Sequence, residues 1–354
     1  MMNNFIYLRG LRRAEHTVFC VQDGQKSYYD AQFGIYCAYS SGQQVKRSIL
    51  DSILGYMGEE QAPITFNYEI TKDKGISNKE PWSPCDPIYT DQLLGGWMKA
   101  QKDETPVKRR SPFSFSAMRP LHPLLGGLER QKENLTFDRS SNPELHPVIV
   151  KNYTGEELSK QEITDFLSDN KRTLPRRNWI ADITRASGLF IFDIAIDLRT
   201  LFCVSTNVHE PELTAAKIED LSTKGWIKNK NSFGECLLCP KEKREKIISA
   251  IANGLINWRI TSNQSRTFSL METLAVAISD NANKLAASIR AELNEERERS
   301  AIPVIDRNTG SDLFITLPCN GYIAGAGGEL NALEMAENKL KEIMLAFDYE
   351  HQLN

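Results

Sequence analysis

Side chains able to hold an anion gather in one stretch, Ser40-Ser41-Gly42-Gln43-Gln44-Val45-Lys46-Arg47-Ser48-Ile49. Ser41 with Gln44 three residues on has capping-box spacing, so a helix should begin here. Val45, Ile49, Leu50, Ile53, Leu54 and Met57 carry it forward as one broad apolar face. At about 100° per residue, Lys46 shares a row with Leu50 and Ile53, and Gln43 and Arg47 lie at its border. A cation in a first turn is disfavoured by the helix dipole unless an anion sits there too. Free helix amides beside Ser, Gly, Gln, Lys and Arg would make a phosphate site. The same pattern also fits a lysine that snorkels out of a partly exposed turn. A second polar group, Asn263-Gln264-Ser265-Arg266, precedes an apolar segment and offers donors suited to phosphates and ribose hydroxyls.

Other spacings carry less chemistry. Cys236-Leu237-Leu238-Cys239 has metal or redox spacing, but no second cysteine pair or nearby histidine completes it, which favours structural cysteines. Asp193 and Asp197 fall on one face of an expected strand, either as a metal-binding pair or as a solvated edge. The five histidines show no paired ligand spacing, and Gly-x-Ser-x-Gly is absent, so no hydrolytic constellation is expected. The loop Gly325-Ala326-Gly327-Gly328 departs from the dinucleotide fingerprint and lacks a P-loop lysine. It reads as a tight turn or as a close approach to a nucleic-acid backbone. Two basic clusters, Lys108-Arg109-Arg110 with Arg119 and Lys171-Arg172 with Arg176-Arg177, interleave with Phe113, Phe115 and Trp179. They are surface charge or a single-strand-binding surface.

The elements that must position these groups alternate between β and α. Strands are expected at 4–8 and 17–22, parted by the basic Arg9–Arg13, and then at 64–71 and 111–118. A short helix should end at Gly95-Gly96. The near-continuous apolar run Gly188–Leu198 is expected to lie centrally in a sheet. Helices are expected at 156–168, 241–257, 282–299 and 330–347, with a strand at 312–317. Elements from both ends interrupted by a long irregular insert indicate an α+β chain with a ferredoxin-like core.

Length and composition set outer bounds. At 354 residues the chain suits one large domain with insertions, and 41% hydrophobic with 25% charged residues is ordinary globular usage. A net charge of −3 does not support a uniformly basic nucleic-acid binder, so any such contact must be a local patch. No apolar run reaches the roughly 18 residues of a membrane span, and the N-terminal residues lack a signal-peptide hydrophobic region. Seven cysteines, an odd number, fit reduced thiols and a cytoplasmic location.

Taken together, three segments resemble one family. Ser41–Ile49 is similar to the Ser-x-Gln-x-(Leu/Val)-Lys-Arg-x-(Ile/Leu) helix of the repeated, crRNA-binding backbone subunit of CRISPR Cascade complexes. Leu189–Leu198 resembles that family's central strand, and Asn263–Phe268 its later Gln-Ser-Arg segment, in the same order. The resemblance covers about a third of the chain, and the glycine-rich loop near the C-terminus also suits it. It implies a modified RRM-like palm at 1–56 and 186–354, a finger-like insertion at 57–185 and a thumb-like excursion at about 200–239.

The resemblance further implies a non-catalytic subunit, without cofactor or metal, that polymerises head to tail along crRNA with other copies of itself and other Cascade subunits. It would present the guide to target DNA. Such a subunit needs phosphate and ribose contacts, for which Ser41, Gly42, Gln43, Gln44, Lys46, Arg47, Gln264, Ser265 and Arg266 are the expected residues. The aromatic RNP signature of an ordinary RRM is missing. Related type III backbone subunits cut RNA with an aspartate near the palm helix. Asp30 lies a little before the motif, but its flanking residues do not match that loop. An RNA-cutting subunit using Asp30, and a protein scaffold without nucleic acid, are the two alternatives.

Overall fold

The computed structural model describes residues 4–19, 25–100, 105–130, 135–180, 184–260 and 267–353. The principal elements are β1 (Phe5–Thr17), α1 (Gly42–Met57), α2 (Thr90–Gly95), three short strands β2 (Phe113–Phe115), β3 (Arg119–Pro120) and β4 (Gly126–Arg130), and the long β5 (Thr184–Asp197). They are followed by α3 (Lys241–Asn257), β6 (Thr273–Ser279), β7 (Asp312–Ile315) and α4 (Ala332–Ala346).

Among the described residues, β1–β7 form one sheet in the order β4-β5-β1-β6-β7, with β2 and β3 also on β5. β1 is antiparallel to both neighbours, pairing Leu8 with Ile194 and with Ile278. If β2, β3 and β4 are counted as one interrupted second strand, the order is second–third–first–fourth, with β7 added as a fifth strand beside the fourth and helices after the first and third strands. That is the split βαβ, ferredoxin-like arrangement, and the chain is an α+β fold as expected.

Alternation along the strands explains the layers. Ile6 and Leu8 of β1 and Phe190, Phe192, Ile194 and Ile196 of β5 point to one face. There they bury against Val45, Ile49 and Ile53 of α1, Ile247 and Ile251 of α3 and Leu340 of α4. Leu11, Leu189 and Ile191 point the other way, into a smaller core closed by Leu285, Ile289, Cys319 and Ile323.

Some expectations change. β1 extends the strand expected at 4–8 through Arg9–Arg13 to Thr17, because each arginine finds a partner; of the strand expected at 17–22, Val18 and Phe19 lie past its end and residues 20–22 lie outside the described residues. Arg9 binds Asp193 (2.6 Å) and Arg12 lies over the Trp258 ring (4.0 Å). The helix expected at 282–299 stops at Ser288 and becomes a hairpin, Ile289–Leu293 with Ala301–Ile305, because Ile289 is drawn into the second core.

The excursion at 200–239 packs into the main body. Its strands Cys203–Ser205, Ile227–Asn231 and Gly234–Leu238 and its helix Ala215–Thr223 put Phe202, Val204, Leu221, Trp226 and Leu237 into the main core. Cys236 and Cys239 are buried there too, as structural cysteines. A solvent-exposed hairpin is formed by Thr65–Ile70 with Ile76–Trp82, which carries exposed Phe66, Tyr68, Ile70 and Ile76.

The chain divides into Met1–Leu128 with Ala186–Asn354, and Glu129–Arg185, so only the second half of the expected 57–185 insertion is a separate unit. That smaller unit holds the hairpin Leu135–Asp138 with Arg177–Ile180 and the helix Lys160–Asp169, which opens on a Ser159/Glu162 capping box. None of its residues with a described side chain is buried. Among the described residues, no helix is long and apolar enough to cross a membrane.

Candidate nucleic-acid interface

The head of α1 is built as the sequence indicates. Ser41 is the N-cap, and its hydroxyl accepts the Gln44 amide (3.3 Å). Gly58, in the left-handed conformation, closes the other end. The amides of Gly42 and Gln43 have no acceptor within the helix, which leaves two donors at the positive end of the dipole. The approach is fixed by Ser40, whose backbone exchanges two hydrogen bonds with Met118 (2.9 and 3.0 Å). This brings Arg119 of β3 next to the segment that leads into α1, a juxtaposition that sequence spacing does not show.

Gln43, Lys46 and Arg47 stand at i, i+3 and i+4, on one face. Gln43 and Arg47 are exposed and Lys46 is half-buried. The Lys46 ammonium donates to the Gly95 carbonyl (2.5 Å) at the C-terminal end of α2, which ends at Gly95-Gly96 as expected. An ammonium carries three donors, so two remain for an anion. Arg47 pairs with Asp51 one turn on (3.0 Å), and both are exposed. Such a pair contributes at most about 1 kcal/mol, so a phosphate can take Arg47 over. Gln264, Ser265 and Arg266 lie outside the described residues.

Burial pushes the Lys46 ammonium below its ordinary range. A base whose folded pKa is lowered holds fewer protons than in the unfolded chain over the interval up to 10.5. Its contribution to stability therefore rises with pH through that interval. Lys46→Met removes the titration. Whatever constant offset it brings, its melting temperature relative to wild type should be highest at neutral pH and should decline as pH approaches 10.5. Parallel thermal melts across that range check this; a pH-independent difference would contradict it.

The carboxylates considered for metal chemistry are otherwise engaged. Asp30 Oδ1 accepts the Phe33 amide (2.9 Å) in a hairpin turn. Asp193 is held by Arg9 (2.6 Å) and Arg119 (3.3 Å), and Asp197 by Arg199 (2.9 Å). Among the described residues, no group of three or more His, Cys, Asp or Glu side chains is arranged to hold a metal.

The basic cluster at 108–110 separates into two roles. Lys108 and Arg110 are exposed at a cleft of about 820 Å³ beside the C-terminal end of β5. Arg109 is buried and donates to the Thr200 and Cys203 carbonyls (2.9 and 3.1 Å). It faces Glu212 at 4.0 Å, and burial raises the Glu212 carboxyl despite that charge. The glycine-rich loop is a latched turn: Arg307 donates to the Ala326 and Gly327 carbonyls (3.2 and 2.8 Å), and the Asn320 side chain accepts the Gly327 amide (2.9 Å).

No family model and no curated protein sequence matches the chain. Among solved structures, a chain from a "CRISPR RNA-guided surveillance complex, pre-nicking" is similar at a TM-score of 0.46 and 10% identity, over 96% of this chain and 88% of that one. A chain from a second "CRISPR RNA-guided surveillance complex" is similar at a TM-score of 0.45 and 11% identity, over 97% of this chain and 100% of that one.

Proposed function

We propose that the chain is a non-catalytic, crRNA-binding backbone subunit of a type I CRISPR Cascade-type surveillance complex. Several copies would line the guide head to tail, beside other Cascade subunits, and hold it for pairing with target DNA. The observation that carries this reading is the head of α1. A Ser41-capped helix presents Gln43, Lys46 and Arg47 on one face, within the segment whose sequence resembles the family's palm helix. Free amides, hydroxyl, amide and cationic groups there suit a phosphodiester backbone and carry no base code, as a subunit that accepts any guide requires. The non-catalytic reading is supported by the engagement of Asp30, Asp193 and Asp197 with an amide and three arginines.

The test is the salt dependence of binding to a short single-stranded RNA. Lys46→Ala with Arg47→Ala should weaken binding and flatten the slope of log K against log salt by about 1.4, two phosphate contacts at about 0.7 each. An unchanged slope would refute the site. Metal-dependent RNA cleavage lost in Asp30→Ala would favour the enzyme reading, and absence of RNA binding the scaffold.

A further inference from the structure

The hairpin that leads into α1 joins Ser27–Asp30 to Ile35–Ala38, with Tyr28 opposite Cys37 and Tyr29 opposite Tyr36. Alternation sends the first pair inward. Cys37 is fully buried, and burial pushes the Tyr28 hydroxyl up to about 12. The second pair faces out: Tyr29 is 56% and Tyr36 52% exposed, with ring centroids 5.2 Å apart.

The turn beneath them is pinned. The Asp30 carboxylate and carbonyl accept the Phe33 and Gly34 amides (2.9 Å each), the Phe33 ring packs edge-on against His122 (4.8 Å), and the Phe33 carbonyl accepts from the Arg299 guanidinium (2.9 Å). Two large rings are thus held open to solvent on a rigid support. The positive charge of Arg299 sits at the tip, and that of Arg119 acts on Tyr28 behind the pair.

We propose that Tyr29 and Tyr36 form a stacking platform for an unpaired nucleobase of the strand whose phosphates the head of α1 holds. This rests on the reading of α1 as a phosphate site. Tyr36 and Ser41 are five positions apart, a span of at most about 17 Å, so the platform lies within a few nucleotides of the helix head. Aromatic rings beside guanidinium groups are the combination that single-stranded nucleic acid uses, and stacking is indifferent to sequence because every base has a π-face. A protein partner would want an apolar rim, whereas the turn at the edge of this pair exposes the polar Gln32 and carries the Arg299 charge.

The test compares a single-stranded RNA with an abasic ribose-phosphate strand of the same length. The wild-type chain should bind the base-bearing strand about tenfold tighter or more, as one stacked base implies. Tyr29→Ala with Tyr36→Ala should bring that ratio close to one while leaving the salt slope unchanged. Tyr29→Phe with Tyr36→Phe should keep the ratio, since the ring and not the hydroxyl stacks. Equal wild-type binding of the two strands, or a preference that survives the alanine variant, overturns the platform and leaves the phosphate site standing. Failure of the wild-type chain to bind either strand overturns both.

Discussion

Gly96→Ala is expected to lower stability by about 4 kcal/mol and to loosen the anchor of Lys46. Gly96 ends α2 with φ 73° and ψ 176°, a region open essentially to glycine alone. A Cβ there would lie 2.5 Å from the Arg109 carbonyl oxygen and 2.7 Å from the Ser111 amide nitrogen. Both are backbone atoms with no rotamer to escape into, so α2 must shift against the 109–111 segment. That segment is fixed from below by buried Arg109 and from the side by Ser111, whose hydroxyl donates to the Leu94 carbonyl (2.8 Å). The carbonyl that moves first is that of Gly95, which accepts from Lys46. Thermal melting should show the loss, and the pH dependence assigned to Lys46 should weaken with it. Gly55→Ala, inside α1 with nothing within 4 Å of the added carbon, is the control. It should be neutral or stabilising by up to about 1 kcal/mol through helix propensity. Equal melting of Gly96→Ala and wild type would refute the account.

Arg12→Ala is expected to cost about 3 kcal/mol or more, and Arg12→Met to recover most of that loss. Arg12 is 1% exposed, with its guanidinium 4.0 Å from the Trp258 ring centroid and 5.2 Å from that of Phe192. Its Nη2 donates to the Trp258 carbonyl at the end of α3 (3.0 Å), while Nε and Nη1 are buried without a hydrogen-bond partner among the described residues. Burial, and then the nearby Arg259 charge, push the group well below its ordinary range. What holds this cation is the negative end of α3 and two ring faces. Alanine would empty the space beside the Phe192 and Trp258 rings, which pack edge to face on each other, a cavity cost typical of large-to-small core changes. Methionine would refill it and remove the desolvation penalty of the charge. Denaturant or thermal unfolding of the two variants decides the matter. If Met is as damaging as Ala, the charge itself holds the core, and the volume argument is wrong.

Features set by neighbours in the chain were legible in the sequence. The start of α1 was readable because a capping hydroxyl acts over three residues, and the end of α2 because Gly95-Gly96 marks it. β5 was readable because a strand buried on both faces is apolar throughout. What stayed hidden depends on partners far along the chain. Basic residues read locally as a loop, yet β1 runs through Arg9 and Arg12 because Asp193 and Trp258, 184 and 246 positions on, receive them. The solvent-or-anion choice for Lys46 lacked a third option, the Gly95 carbonyl 49 residues away. The Tyr29/Tyr36 pair does not stand out in the sequence, because alternation does not say which face of a hairpin meets the core. At 282–299 the helical pattern lost to the pull of Ile289 into the second core, a tertiary override of local propensity.

The interrupted second strand has a consequence for solubility. The sheet margin beyond β5 is made of pieces of three, two and five residues (β2, β3 and β4), parted by residues 116–118 and by residues 121–125, which include Pro123. A long, flat, unpaired strand at that margin would be a template for another chain to add to, the usual start of edge-to-edge aggregation. Short, separate segments, the second of them ending in Pro120, offer no continuous row of donors and acceptors. The interruptions of this margin therefore keep concentrated copies of the chain from zipping together there.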